Sequence, residues 1–214
     1  MSQKSPEINI DDPTLTERHE RAVGRLCRFW ATHDLALLKL VETMLDIDFP
    51  EAACVVTGLD TAARCKLIQK LAHRHSPSPE WRAAALGLLR RSLNELCDQR
   101  NRYVHDMWSI FPTRGTKIDM RVSVKRLQSH QPETLITGQE EDVPVEDIDN
   151  LTARVEWVTK GYFELFNTYH GAKHSGQPPE LSPRLIQEST YKHQAHRCPT
   201  YRQAHPKLRR PSQK

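Results

Sequence analysis

The sequence contains no apolar run long enough to cross a lipid bilayer. A transmembrane helix needs roughly 18 or more consecutive apolar residues, whereas the mean hydropathy of this chain is -0.67. The first residues, MSQKSPEINIDDP, also lack the apolar segment of a secretory signal peptide. Both absences predict a cytoplasmic protein with no membrane partner.

Cysteine is too scarce and too irregularly spaced for a disulfide framework. The chain has an odd number of cysteines and no CxxC pair, and most of them fall within predicted helices, at positions 27, 54, 65, 97 and 198. We therefore expect reduced thiols that behave as small apolar residues. Zinc donors also occur near the C terminus, but their spacing matches no structural zinc finger. These donors are His193, His196, Cys198 and His205.

Glycine-rich phosphate loops are absent as well. The eight glycines occur in neither a GxGxxG nor a GxxxxGK pattern, which excludes the usual nucleotide-binding loops. The sequence also has no internal repeats. We therefore expect a protein that uses no cofactor and no metal ion.

Charge is distributed unevenly along the chain, although the net charge is only +4. Residues 171–214 hold nine lysines and arginines against two acidic residues, so the rest of the chain is mildly acidic. Such a basic segment either contacts a polyanion or is a solvated end. Because it is rich in proline and histidine and has no period, we expect residues 171–214 to be a flexible tail.

Hydrophobic periodicity predicts a mainly α-helical protein. Apolar residues recur at three- and four-residue intervals in four main segments. The predicted helices begin near Thr14, Asp60, Pro79 and Ile148. Asp60 and Ser78 are suited to capping the second and third of them, and Pro50–Gly58 adds one or two helical turns. The pattern favours a bundle of four to five helices.

The period changes to two after the third main helix. Apolar residues at 118, 120, 122 and 124 alternate with polar ones, as in a half-buried strand. Thr113–Thr116 can turn the chain, so we expect Met107–Phe111 to pair with Lys117–Lys125, and Thr134–Thr137 to add a short strand. The predicted organisation is a disordered segment at 1–13, a helical domain at 14–170 with a β-hairpin insert at about 107–137, and the tail.

The stretch Asp98–Trp108, DQRNRYVHDMW, places several polar side chains at the end of the third main helix. Asn101 and His105 are four residues apart and share one helix face. Arg100 and His105 are about 140° apart around the helix axis. We expect these two to meet within one chain only if the helix ends or bends near Tyr103, or otherwise across a dimer axis.

These residue types suit the cleavage of RNA without a metal ion. A free histidine has a pKa of about 6.5 and can accept the proton of a ribose 2′-hydroxyl at neutral pH. An arginine keeps its positive charge and can stabilise the oxygens of the reacting phosphate. In this interpretation His105 is the general acid/base, Arg100 stabilises phosphate charge, and Asn101 orients the imidazole or the phosphate.

The run resembles the R-x4-6-H motif of the HEPN superfamily, and also the RNxxxH run of a group of uncharacterised bacterial helical proteins. The resemblance concerns residues 14–170 in architecture and only Arg100, Asn101 and His105 in motif. It implies a helical bundle that dimerises, with the motif lining a cleft between protomers. Many members are metal-independent endoribonucleases of toxin–antitoxin and phage-defence systems, and others only bind. The resemblance thus implies RNA, a second copy, and an antitoxin or defence-system partner.

The Arg–His spacing alone carries little information, because pairs at this spacing are expected by chance in a chain so rich in both residues. A second pair, Arg28 and His33, lies in the middle of the first helix without a following asparagine. His33 and Asp34 can add a polar face to the same cleft, although a buried, hydrogen-bonded histidine is the more common case.

Two other interpretations stay open. The negative end of a helix dipole also favours arginine and histidine, so the run can be a structural cap in a non-catalytic protein that dimerises or binds partners. Alternatively, the basic tail can make the chain an RNA-binding adaptor, in which Tyr191 and Tyr201 stack on single-stranded bases.

Overall fold

The computed structural model describes residues 13–105, 107–110, 120–123 and 140–190. In these ranges the chain forms a mainly α-helical bundle, and none of the helices combines the length and the apolar character needed to cross a bilayer. The helices are α1 (Pro13–Leu45), α2 (Phe49–Val56), α3 (Thr61–His75), α4 (Pro79–Arg91), a π-helical turn (Ser92–Leu96), α5 (Cys97–His105), α6 (Val145–Ser175) and α7 (Pro183–Ser189).

Side-chain caps define where several helices begin. The Asp60 carboxylate accepts a hydrogen bond from the backbone N–H of Ala63 at 2.7 Å, and the Ser78 hydroxyl accepts one from Trp81 at 3.1 Å. Each bond satisfies an amide that has no partner inside its helix. Both predicted caps are confirmed, with Pro79 in the first turn of α4.

The two longest helices, α1 and α6, run parallel and side by side. Near their starts, His19 Nε2 lies 3.1 Å from the carbonyl oxygen of Val143. Near their ends, Thr43 Oγ1 lies 3.3 Å from His170 Nε2. Apolar side chains from both helices form the core together with those of α3 and α4, and the largest fully buried ones include Leu26, Leu37, Ile68, Trp81, Leu88, Leu151, Tyr162 and Leu165.

The segment from α4 through the π turn to α5 runs antiparallel to α6. Trp81, at the start of α4, donates from Nε1 to the carbonyl oxygen of Leu165 at 3.1 Å. Glu95, in the π turn, accepts from Arg154 at 3.0 Å, eleven residues earlier on α6. This direction places α5, which carries Asp98–His105, beside the first half of α6.

Three short strands stand between α5 and α6. They are β1 (Met107–Ile110), β2 (Met120–Ser123) and β3 (Glu140–Asp142), in antiparallel order β1-β2-β3, with Met107 opposite Ser123. The predicted turn at Thr113–Thr116 and the predicted strand at Thr134–Thr137 lie outside the described residues. The hairpin of 107–137 as a whole therefore stays a prediction.

The helical division differs from the predicted four to five helices in the described ranges. The third main helix changes to π geometry at Ser92–Leu96 before α5 begins. A π turn contains one extra residue per turn and is recognised by its hydrogen bonds rather than by apolar spacing. The sequence pattern therefore predicted one continuous helix.

The predicted tail boundary at residue 170 is wrong. α6 continues to Ser175 and ends at Gly176, whose φ of 67° suits a left-handed cap. α7 then packs back on the bundle and buries Leu185 and Glu188 completely or nearly so. The basic composition had suggested a flexible segment, but an apolar anchor and a buried ion pair order residues 171–190. Residues 191–214 lie outside the described ranges, as do residues 1–12.

Candidate functional site

The three residues of the motif lie together on α5. Arg100 Nη1 donates to Asn101 Oδ1 at 3.0 Å and to His105 Nε2 at 2.9 Å. Asn101 and His105 are exposed, and Arg100 is half-buried. A cation, an amide and an imidazole therefore share one patch of accessible surface.

Arg100 and His105 meet within one chain. The chain is helical through Tyr103 and α5 ends at His105, two residues later, so the expected helix end lies close to this contact. An arginine side chain is long enough to reach around a helix while its Cα stays on another face. Neither a bend near Tyr103 nor a second protomer is needed to join the two residues.

The Arg100–His105 hydrogen bond specifies where the imidazole carries its proton. A guanidinium only donates hydrogen bonds, so Nε2 of His105 must be the acceptor. The proton of the neutral ring then lies on Nδ1. The Nε2 lone pair is engaged while Arg100 keeps this position.

The Arg100 guanidinium lies over the indole of Trp30 from α1. Its central carbon is 5.4 Å from the ring centroid, and the indole is only 4 % exposed. Trp30 Nε1 donates to Thr61 Oγ1 at 3.4 Å, which fixes one edge of the ring against α3. The arginine of the motif therefore rests on a residue seventy positions earlier in the chain.

A buried polar chain lies behind this indole. The His33 ring stacks on Trp30 with centroids 4.9 Å apart. His33 Nε2 lies 3.0 Å from Ser92 Oγ, which lies 2.8 Å from the hydroxyl of Tyr162. The side chains of His33, Ser92 and Tyr162 are fully buried. His33 is thus a core residue, and it does not share the surface patch of Asn101 and His105.

Asp34, next to His33, is a partly exposed carboxylate. Its Oδ1 accepts from Thr61 Oγ1 at 3.0 Å, and its Oδ2 lies 3.6 Å from Arg64 Nη1. His33 Nδ1 lies 3.8 Å from Oδ1, beyond hydrogen-bonding distance. Burial alone raises the pKa of Asp34, but His33, the Thr61 hydrogen bond and Arg64 together outweigh burial and hold this pKa below its usual value. The group is therefore negatively charged at neutral pH.

Cys97 lies one turn before Arg100 but does not supply a nucleophile. Burial raises the pKa of the Cys97 thiol to about 12, and the negative charges of Asp98 and Asp34 act in the same direction. The thiol therefore stays protonated at neutral pH, and a protonated thiol is a poor nucleophile. Cys97 therefore adds no thiolate to this patch.

A bridge from α6 holds α5 in place. Arg154 donates from Nη2 to Glu95 Oε2 and from Nη1 to Gln99 Oε1, both at 3.0 Å. Gln99 immediately precedes Arg100. Because the first contact joins the π turn and the second joins α5, Arg154 spans the change of helix geometry that precedes the motif.

A second cationic surface lies along α1. A groove of about 590 Å³ is lined by Arg18, Arg21, Gly24, Arg25, Arg28, Val145 and Asp149. Acidic partners neutralise much of its charge, since Arg21 lies 2.6 Å from Glu17 and Arg25 lies 2.6 Å from Asp149. The groove is therefore a weaker anion site than its arginine content indicates.

The second Arg–His pair is not brought together as the first is. Arg28 is exposed and its guanidinium lies over the Phe29 ring, whereas His33 is buried. Of the two pairs, only Arg100 and His105 are joined by a hydrogen bond at the surface.

Sequence reasoning missed three residues that support the site: Trp30, Ser92 and Tyr162. Trp30 and Tyr162 belong to apolar stripes and were interpreted as core residues. A signal for Ser92 existed, since it is a hydroxyl on the apolar face of a helix and such a group needs a buried partner. The identity of that partner depends on tertiary packing.

Among the described residues, no group of three histidine, cysteine or acidic side chains is placed to hold a metal ion. The four zinc donors considered near the C terminus lie outside those residues. Comparison with protein-family models, with curated proteins and with solved structures found no match to this chain.

Proposed function

We propose that this protein is a HEPN-like, metal-independent endoribonuclease. The observation that carries the proposal is the 2.9 Å contact between Arg100 Nη1 and His105 Nε2 on an exposed helix end, with Asn101 bonded to the same guanidinium. A fixed positive charge and a proton acceptor within one hydrogen bond of each other are what transesterification of RNA requires.

The reaction begins when a backbone phosphate of RNA binds Arg100. A guanidinium prefers a phosphate oxygen to a neutral imidazole because the phosphate is charged, so binding frees the Nε2 lone pair of His105. His105 accepts the proton of the 2′-hydroxyl, and the 2′-oxygen forms a bond to phosphorus. The bond from phosphorus to the 5′-oxygen breaks, and that oxygen takes up the proton that His105 had accepted, which returns the imidazole to its starting state. The products are a 2′,3′-cyclic phosphate and a 5′-hydroxyl.

Arg100 and Asn101 have separate tasks in this scheme. The guanidinium stabilises the charge that grows on the phosphate oxygens during attack. The exposed amide of Asn101 orients the imidazole or the phosphate through the hydrogen bond that it already makes with Arg100. Its loss should therefore impair cleavage less than loss of either charged partner.

The test is cleavage of a single-stranded RNA by the purified chain in the presence of a chelator. We expect His105→Ala to lower the rate by about 10²–10⁴-fold, the usual contribution of a general acid/base. Arg100→Ala should lower it by about 10²–10³-fold. The products should carry 2′,3′-cyclic phosphates.

Matched controls come from α3, where His73 and Arg74 are exposed at the helix end. His73→Ala and Arg74→Ala should leave the rate unchanged, which separates the motif from a general loss of positive charge. A DNA of the same base sequence lacks the 2′-hydroxyl and should stay intact. Cleavage that is absent, or equal in His105→Ala and the wild type, refutes the proposal.

The same proposal includes a cytoplasmic homodimer in which two α5 ends border one cleft. The exposure of Asn101 and His105 leaves this face accessible to a second copy, and an antitoxin or defence-system protein is the class of partner that would cover it. Sedimentation of the wild type should give a dimer mass. A monomer that cleaves RNA would disprove the dimer and leave the catalytic proposal standing.

A second candidate is a non-catalytic interaction protein. It is favoured by the hydrogen bonds that Arg100 already makes with both Asn101 and His105. In that case His105→Ala lowers the melting temperature or separates a dimer, and no RNA is cut. An RNA-binding adaptor is distinguished by deletion of residues 191–214, the part of the basic segment beyond α7. The deletion should then abolish salt-sensitive RNA binding.

A further inference from the structure

The buried indole of Trp30 meets Arg100 from another helix, α1. The guanidinium carbon lies 5.4 Å from the ring centroid. In the described part of the chain, Arg100 Nε is covered from solvent and has no hydrogen-bond acceptor. Burial of a cationic donor is unfavourable unless another interaction offsets it. The negative face of an indole provides such an interaction.

Trp30 is itself held rigidly. Its Nε1 donates to Thr61 Oγ1, and the Thr61 hydroxyl donates to Asp34. The His33 ring stacks on the indole with an interplanar angle of 21°. Because these partners belong to α1 and α3, the position of the indole does not depend on α5.

A residue that holds Trp30 also contacts the π turn that precedes α5. Ser92, the first residue of the π turn, lies within hydrogen-bonding distance of both His33 and Tyr162. The π turn therefore begins at a residue that contacts His33, the ring stacked on Trp30.

We propose that Trp30 is a positioning residue for Arg100, holding the guanidinium where Nη1 reaches His105. A π face orients a guanidinium without cancelling its charge, whereas a carboxylate in the same place would neutralise it. The charge thus stays available for a phosphate. Only this last step rests on the proposed nuclease function, because the positioning itself is observable without RNA.

The first experiment is NMR spectroscopy of the wild type, Trp30→Phe and Trp30→Leu. In the wild type we expect an upfield ring-current shift of the Arg100 Nε–H resonance and a His105 Nε2 that accepts from Arg100, with a proton on Nδ1. Trp30→Leu should remove the ring-current shift and move the His105 proton toward Nε2, because the Arg100 contact is lost. Trp30→Phe keeps an aromatic face and should largely retain both signals.

Trp157 on α6 offers a matched control. Two guanidiniums, those of Arg91 and Arg184, each lie 5.2 Å from its ring. Trp157→Leu therefore also removes cation–π contacts, but the guanidiniums that it releases are those of Arg91 and Arg184 and not that of Arg100. It should lower the melting temperature without changing the Arg100 or His105 signals.

Two outcomes overturn the inference. One is a wild-type Arg100 Nε–H without a ring-current shift, which is informative even if Trp30→Leu does not fold. The other is a folded Trp30→Leu with unchanged Arg100 and His105 signals. In the RNA assay we expect Trp30→Leu to lower kcat by about 10–100-fold, with a smaller change in KM. If the wild type cuts no RNA, the proposed function is refuted. The NMR result then still tests whether Trp30 positions Arg100.

Discussion

Gly87 of α4 lies against the backbone of Glu188 of α7, so closely that a methyl group at position 87 would overlap the Glu188 carbonyl oxygen. This approach allows the Arg91 guanidinium to form two hydrogen bonds, of 2.9 and 3.2 Å, with the Glu188 carboxylate. It also brings Leu185 into the core. The close packing of α7 on α4 therefore requires a residue without a side chain at position 87.

We expect Gly87→Ala to lower the free energy of unfolding by roughly 1–3 kcal/mol, the usual effect of overpacking. The neighbour is backbone, which cannot move aside as a side chain can. Gly24 on α1 is the control, since a methyl group there meets nothing within 4 Å. Gly24→Ala should raise stability by up to about 1 kcal/mol through helix propensity. Urea denaturation of the two variants measures both changes in the free energy of unfolding. Equal changes would contradict the packing argument.

Ser92→Ala should be more destabilising than Tyr162→Phe. Removal of the serine hydroxyl leaves both His33 Nε2 and the Tyr162 hydroxyl without their shared partner, at about 1–3 kcal/mol for each buried group. Tyr162→Phe keeps the bond between Ser92 and His33. The free energies of unfolding from chemical denaturation give the order, and a larger loss in Tyr162→Phe would show that Ser92 is not the centre of this chain.

Acid should weaken the fold through Asp34. Its pKa is lower in the folded protein than the value of about 3.9 typical of a free aspartate. The contribution to stability is therefore present above about pH 4 and is lost as the pH falls through the lower, folded-state pKa. Asp34→Asn should flatten the dependence of the unfolding free energy on pH in this acidic window. Thr61→Val removes one hydrogen bond to the carboxylate and should give an intermediate slope, whereas a wild-type slope in Asp34→Asn would exclude this carboxylate as the source.

Thiol reactivity should separate the cysteines by burial. With its pKa raised to about 12, Cys97 has almost no thiolate at pH 8, and burial also raises the pKa of Cys65 well above its ordinary value. Cys54 is exposed on α2. Alkylation followed by peptide mass mapping should modify Cys54 quickly, and Cys65 and Cys97 only after denaturant is added. Rapid labelling of Cys97 in the native protein would contradict its burial.

Local chemistry made much of the bundle predictable. Asp60 and Ser78 begin helices because a short polar side chain bonds an amide within three residues of itself, and this interaction needs no distant partner. The apolar stripe of α1 has the same local origin, since a period near 3.6 residues can be recognised before any packing is known. The position of Asn101 and His105 on one helix face follows from their four-residue spacing for the same reason.

The fold beyond residue 170 could not be predicted in this way. Residues 171–214 are basic and rich in proline, and this composition predicted a flexible tail. The order of α7 depends on Leu185 entering the core and on Glu188 meeting Arg91, 97 residues earlier in the chain. Neither contact can be recognised from hydrophobic periodicity, because α7 has only seven residues.

The sequence by itself determined that the protein is mainly helical, where most of the helices begin, and that Arg100, Asn101 and His105 stand near a helix end. Tertiary structure decided how these three residues are arranged. Arg100 reaches His105 from a position set by Trp30, and Trp30 is fixed by Thr61 and His33, which in turn contacts Ser92. Apart from His33, which lies three residues after Trp30, these partners lie 31 or more residues from Trp30. Only the packing of α1 against α3 and the α4–α5 segment brings them together.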